Sequence, residues 1–283
     1  MTIFKKTNDL QFFLTGFRNQ LKKKGFVPTM GALHKGHISL IGESKTTNDI
    51  TISSIFVNPA QFNDPRDFEK YPVTIENDIL MLEQAGCDVL FLPSVKEIYP
   101  NGTQQDKHYD LGYLDTVLEG RYRPGHFQAV CMVMEKLLMI INPDSLYLGR
   151  KDYQQCLVIK KLVELLTPVK PIDVKICNTI RERDGLAMSS RNMRLNEDEK
   201  KKATGIYRAL DYLKNHLADG SLDNVKEKAS QLLIENGLRP DYVEIAEADS
   251  LKLISQVSEK TKIVGLIAAF MNEVRLIDNL PLN

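Results

Sequence analysis

The chain has 283 residues, with 37 basic side chains balancing 37 acidic ones and 43% hydrophobic residues. That composition gives a globular chain with apolar material for one large or two ordinary domains. Zero net charge argues against a nucleic-acid partner, which selects a basic excess. The opening MTIFKKTNDLQFF lacks the apolar run of a secretory leader, and no apolar stretch approaches the ~20 residues of a membrane helix. Cys87, Cys131, Cys156 and Cys177 are widely spaced, with no CxxC pair. Together these features predict a reduced, cytoplasmic protein with no membrane partner.

Residues 7–24 read as an amphipathic helix: Leu10, Phe13, Leu14, Phe17 and Leu21 recur at helical spacing, and Gly25 ends it. Phe26–Thr29 reads as a strand, leading through a glycine-containing loop to an apolar run that starts a helix. Ile50–Val57 is β-branched, suited to a buried parallel strand, and ends in the polar loop Asn58-Pro-Ala-Gln61. Ile75–Gly86 gives a helix and Cys87–Leu92 a buried strand. Periodicity lapses from Pro93 to Gly112, which predicts a surface loop. Gln128–Ile141 reads as a helix, Ser145–Leu148 as a strand, Tyr153–Leu166 as a helix and 171–176 as a strand. Strands alternating with helices predict an α/β fold, a Rossmann-like parallel sheet with helices on both faces.

The pattern changes after about residue 178. Glu197–Leu217 and Asn224–Asn236 read as amphipathic helices, followed without alternation by strands at Tyr242–Ala246, Ile263–Ala268 and Val274–Ile277. This predicts two domains, residues 1–178 with the Rossmann-like sheet and 179–283 as a smaller C-terminal α+β domain.

The chemistry centres on Phe26-Val-Pro-Thr-Met-Gly-Ala-Leu-His34-Lys-Gly-His37. His34 and His37 stand three apart where a helix begins, on one face. The first turn of a helix offers unpaired N–H groups and a positive dipole end, so it favours phosphate. Gly36 lets a base or phosphate approach the backbone closely. A metal site is the competing reading, although zinc-protease helices carry their histidines four apart around a glutamate that is absent here; two surface histidines are the plain one. Leu148-Gly149-Arg150-Lys151-Asp152-Tyr-Gln-Gln155 also follows a strand and opens a helix. Met188-Ser189-Ser190-Arg191-Asn192 brings hydroxyls and a guanidinium suited to phosphate oxygens, and Glu119-Gly-Arg-Tyr-Arg123-Pro-Gly-His126-Phe adds arginines and a histidine in a glycine-turn context. Read singly, Lys151 could be a surface lysine, and Ser189 and Ser190 helix caps.

PTMGALHKGH, IFVNPAQF, RPGHF, GRKDYQQ and DGLAMSSRN occur in this order and spacing. Together they resemble the pantoate–β-alanine ligase family of the HxGH nucleotidyltransferase superfamily, whose second glycine-loop motif usually has Glu or Gln where Arg150 stands. The resemblance implies an enzyme with ATP, pantoate and β-alanine as partners, acting through a pantoyl adenylate and releasing AMP and pyrophosphate. It implies Mg2+ with the ATP, and a homodimer. It makes residues 1–178 the nucleotide- and pantoate-binding domain and 179–283 a cover for the active site. His34, His37, Lys151, Ser189, Ser190 and Arg191 carry over as catalytic. Met30, Gly31, Gly36, His37, Gly149, Arg150, Lys151, Asp152, Ile180, Met188 and Ser189–Arg191 carry over to ATP. Gln61, Gln155, Asn58, Arg123 and His126 carry over to the pantoate and β-alanine pockets, and Asp78 to the metal.

Overall fold

The computed structural model describes residues 1–18, 21–105, 107–166, 171–258 and 260–283. They divide into two compact units: Met1–Arg150 with Gln155–Asn178, and Lys151–Gln154 with Thr179–Asn283.

In chain order the first unit has β1 (Thr2–Phe4), α1 (Thr7–Arg18), β2 (Lys24–Thr29), α2 (Lys35–Thr47) and β3 (Ile50–Ile55). It continues with α3 (Pro65–Glu69), α4 (Ile75–Gln84), β4 (Val89–Phe91), α5 (Val95–Ile98), α6 (Glu119–Tyr122), α7 (His126–Ile141), β5 (Ser145–Gly149), α8 (Tyr153–Leu165) and β6 (Asp173–Cys177). All pairings in its six-stranded sheet are parallel, in the order β1-β4-β3-β2-β5-β6. Successive strand residues face opposite ways. Phe26, Phe91, Leu146 and Leu148 therefore join one core with Leu10, Leu14, Phe127 and Leu162. Val27, Leu90 and Tyr147 join a second core with Leu40, Ile41 and Leu82. Two apolar clusters on two faces make the expected α/β sandwich.

The strand order reverses between β2 and β5. The connection leaving β2 runs toward β3, and that leaving β5 runs toward β6 on the other side. Adjacent strands with diverging connections form the switch point where open parallel sheets hold ligands, beyond the strands' carboxyl ends. β2 and β3 stay paired for six positions, whereas β2 and β5 pair only at Gly25↔Ser145 and Phe26↔Leu146. Pro28, which has no N–H to donate, sits past that short pairing, on a stretch of β2 that needs no ladder partner there.

Three local expectations differ. Helix α1 is described only to Arg18; residues 19–20 of the predicted helix lie outside the described residues, and β2 already begins at Lys24. Gly25 is therefore not a helix stop. It is a strand residue against α2, where a Cβ would come within 2.1 Å of Ser44 Oγ. Of the predicted 93–112 loop, residue 106 lies outside the described residues, while Val95–Ile98 is helical and Tyr109 and Leu111 are buried. The short strand β1 had no counterpart in the sequence pattern.

The second unit contains α9 (Glu197–Ala203), α10 (Gly205–Asn215), α11 (Leu222–Glu235), β7 (Arg239–Glu247), β8 (Ile263–Met271) and β9 (Val274–Pro281). Its strands form an antiparallel sheet in the order β7-β8-β9. Ile206, Leu210 and Leu213 of α10 and Val225, Ala229 and Leu233 of α11 pack with Ile245, Ile267 and Leu276. The single helix expected over Glu197–Leu217 is broken at Thr204. Gly205 lies so close to Asn236 that a Cβ would sit 2.9 Å from its side chain. Lys151–Gln154, expected with the first domain, belong to this unit. The Tyr153 hydroxyl donates to the Ala248 carbonyl at 2.9 Å, which helps to hold them there.

Candidate active site

In the first unit the chain leaves β2 through Met30 and turns at Gly31 (φ 82°) and Ala32 (φ 48°). A left-handed alanine costs about 1–2 kcal/mol, so something must hold it. Asp78, fully buried on α4, does so. One carboxylate oxygen accepts the Ala32 N–H at 2.9 Å, and the other accepts the Leu33 N–H at 2.8 Å and the Thr74 hydroxyl at 2.9 Å.

His34 is the N-cap of α2. Its Nδ1 accepts the Gly36 N–H at 3.1 Å, and the Nδ1 of His37 accepts the His34 N–H at 3.3 Å. This is a capping box with imidazoles in the usual Ser/Thr and Glu/Gln places. An Nδ1 that accepts carries no proton, so each neutral ring holds its proton on Nε2. The two rings lie 4.0 Å apart at the helix start. The turn thus presents neutral imidazole N–H donors at a helix N-terminus, an arrangement that complements anionic oxygens.

Beyond β3, Gln61 is held on all sides. Its Oε1 accepts from Asn58 Nδ2 at 3.2 Å, and its Nε2 donates to Met30 Sδ. Its backbone carbonyl accepts from Arg123 at 3.1 Å and from the His126 ring at 2.9 Å. Arg123 donates to the other ring nitrogen of His126 at 3.2 Å, which fixes the His126 proton on Nδ1, facing Gln61. Asn58 is buried and its Oδ1 accepts from the Tyr99 hydroxyl at 3.0 Å. Burial pushes the Tyr99 phenol well above its ordinary range, so it stays a neutral donor. Gly149 ends β5 beside the switch point, with its carbonyl accepting from Cys156; Arg150 follows it, and Gln155 is half-buried on α8.

In the second unit Lys151 is largely covered, its ammonium 3.3 Å from the Asp152 carboxylate. Ile180 accepts the Met188 N–H at 3.0 Å through its carbonyl. Ser189 caps a short turn over Ser190–Arg194 by accepting the Arg191 N–H at 3.3 Å, and Ser190 is buried. The plain reading of Ser189 as a cap is therefore realised, and the cap sets the direction of the Ser190–Arg191 turn. Asn192 ties it back to the Ala187 carbonyl at 3.0 Å.

The family model for pantoate-beta-alanine ligase matches residues 2–281. The chain belongs to the pantoate–beta-alanine ligase family. It is 48% identical to the pantothenate synthetase of Cytophaga hutchinsonii over 262 residues, 90% of each chain. The crystal structure of pantothenate synthetase from Thermus thermophilus superposes with a TM-score of 0.91 at 37% identity, over 100% of this chain and 99% of that one. A pantoate-beta-alanine ligase from Francisella tularensis, solved with beta-gamma ATP and beta-alanine, gives a TM-score of 0.82 at 36% identity, over 100% and 98%.

Membership of the ligase family makes the chain a ligase, and the side-chain geometry sorts its predicted site residues. Asn58, Arg123 and His126, expected against substrate, use their polar groups to fix Gln61. Asp78, expected at a metal, has both oxygens engaged by the turn it braces. Among the described residues no group of three or more His, Cys, Asp or Glu could hold a metal ion. This donor set does not fit a resident metal. Sequence reasoning missed Thr74 and Tyr99 and gave Glu119, at the head of the basic stretch, no role. Thr74 precedes Asp78 by one helical turn, and Glu119 precedes Arg123 by four residues at 3.8 Å, both at the spacing of helix neighbours.

Proposed function

We propose that this chain condenses pantoate with β-alanine to pantothenate, using MgATP as a substrate. In the first step a pantoate carboxylate oxygen attacks the α-phosphorus of ATP. A carboxylate–phosphorus bond forms, the α–β bridging bond breaks, and pyrophosphate leaves. In the second step the free amine of β-alanine attacks the acyl carbon of pantoyl adenylate. The amide forms, AMP leaves with the carbon–oxygen electron pair, and the amine sheds a proton. The first step is required because a carboxylate offers an amine no leaving group at neutral pH.

The observation that carries this reading is the capped HKGH turn. The His34 backbone N–H holds the His37 ring through Nδ1, which leaves the ring proton on Nε2, and a preorganised donor of this kind stabilises charge building on an α-phosphate oxygen. His34 shares that role. Met30, Gly31 and Gly36 shape the turn for ATP, and Gly149 and Arg150 extend the nucleotide site from β5. Lys151 supplies a point charge for the phosphates, Ser190 and Arg191 donate to their oxygens, and Asp152 serves the ribose or adenine. Ile180 and Met188 line the base. Gln61 and Gln155 offer pantoate neutral donors, which leave its carboxylate nucleophilic. The same reading includes a homodimer and the cytoplasm, where four free cysteines fit a reducing environment.

The direct test is to incubate the protein with ATP, magnesium, pantoate and β-alanine and follow AMP and the amide. Equimolar appearance of both is the expected result. Pyrophosphate exchange that ignores pantoate would assign the site to another nucleotidyl transfer, and ATP binding without turnover would make the chain a nucleotide-binding relative.

A further inference from the structure

Within the second unit, β9 carries two buried polar residues in a sheet whose other buried side chains are apolar. Asp278 is 5% and Asn279 3% exposed. A buried carboxylate is tolerated only when paired and hydrogen-bonded. Asp278 receives both terminal nitrogens of Arg181, at 2.5 and 3.0 Å, and the backbone N–H of Asn279 at 2.8 Å. Arg181 also donates to the carbonyls of Gly185 and Asn279, each at 3.1 Å, and lies over the Tyr207 ring.

What these contacts hold is informative. Arg181 begins a tight hairpin closed by an Arg181↔Ala187 bridge, and Ser189–Arg191 follow it within two residues. The turn residue Gly185 (φ 95°) lies against Tyr207 so closely that a Cβ would come within 2.3 Å of the ring. Pinning Arg181 therefore pins the root of the serine–arginine turn. The neighbouring Asn279 donates its side-chain N–H to the backbone carbonyl of Lys151 at 2.8 Å. Two consecutive strand residues thus reach both stretches of this unit that carry phosphate-handling side chains.

We infer that Asp278 and Asn279 are positioning residues for the nucleotide, setting Lys151 and the Ser189–Arg191 turn in one frame. The inference rests on the ligase reading for the identity of the ligand. A buried ion pair is weak evidence for stability in itself, because apolar replacements are often neutral or stabilising. Its use here is to fix the direction of backbone that bears cations.

The test compares the wild type with Asn279→Ala and with a control, Asn283→Ala. Asn283 makes a similar bond, to the Thr261 carbonyl at 2.9 Å, at the end of the same unit. Calorimetry with a non-hydrolysable ATP analogue and magnesium reads affinity; pyrophosphate exchange and β-alanine aminolysis read the two half-reactions. For Asn279→Ala, analogue Kd and the KM for ATP should rise about fivefold to tenfold, with the β-alanine KM within about twofold. Asn283→Ala should match the wild type. Unchanged ATP affinity in folded Asn279→Ala overturns the inference, as does an equal loss toward every substrate. If Asn279→Ala does not fold, the double variant Asp278→Leu/Arg181→Met replaces the pair with apolar groups, and the same ATP-selective loss is expected. Wild-type affinity in that variant, or failure of both variants to fold, also overturns it. A wild type that binds the analogue without pantoate-dependent exchange would refute the ligase reading alone, since the affinity comparison still decides the positioning role.

Discussion

Substituting Asp78→Asn separates a turn brace from a metal ligand. The carboxylate accepts three hydrogen bonds at 2.8–2.9 Å in a fully buried site. The amide keeps one acceptor and turns an NH2 toward either a backbone N–H or the Thr74 hydroxyl. Bonds to a charged group contribute about 1.5–3 kcal/mol each, and a buried donor left unsatisfied costs about 1–3 kcal/mol. Losing one such bond, and weakening the others from charged to neutral, should cost about 2–4 kcal/mol in a urea titration. The released turn includes Ala32 at positive φ, so its relaxation moves the helix start that His34 and His37 cap. Pyrophosphate exchange in the folded variant should fall at least tenfold while the magnesium requirement at saturating ATP stays put. Adding Ala32→Gly, which removes the backbone strain, should recover part of the stability. Unchanged stability, or a raised magnesium requirement with unchanged stability, would refute the brace.

Three further outcomes follow from the site. His37→Ala should leave the fold intact and lower exchange at least about a hundredfold, the scale of one lost transition-state donor; His37→Lys should not restore it, because the fixed donor is neutral and short. Arg123→Ala and His126→Ala should each raise the pantoate KM about threefold to tenfold through Gln61, and the double variant should cost less than the product, because both singles release the same carbonyl. Burial pushes the Cys87 thiol up to about 11 and the Cys131 thiol up to about 12. At pH 8, iodoacetamide should therefore reach half-exposed Cys177 before either, as peptide mapping would show, with all labelled after unfolding.

What the sequence disclosed follows from how local the physics is. The HKGH turn was legible because its glycines, caps and histidines act within twelve residues. Strand alternation was legible because both sheet faces need apolar side chains. Asp78 was visible as a carboxylate, but nothing local says that its oxygens face a turn 45 residues earlier. Arg123 and His126 pointed to binding by residue type, while their partner is a carbonyl 62 and 65 residues away. Gly25 looked like a helix stop because glycine serves both for chain reversal and for close packing, and only Ser44 across the gap decides which. Asp278 and Asn279 drew no notice, since a strand residue's partners lie on other elements.

The same distinction bears on how such a site divides its charges. The rings of His34 and His37 spend Nδ1 on backbone donors and so offer neutral N–H groups, and Gln61 is neutral as well. Of the cations proposed for the phosphates, Arg150 belongs to the first unit and Lys151 and Arg191 to the second. A cation held against the attacking carboxylate would stabilise the ground state and slow the attack, whereas neutral donors orient it without quenching it. Cations are better placed on phosphate oxygens, where charge grows as pyrophosphate leaves. Adenylation therefore calls for two kinds of group, neutral donors toward the acid and cations toward the phosphates.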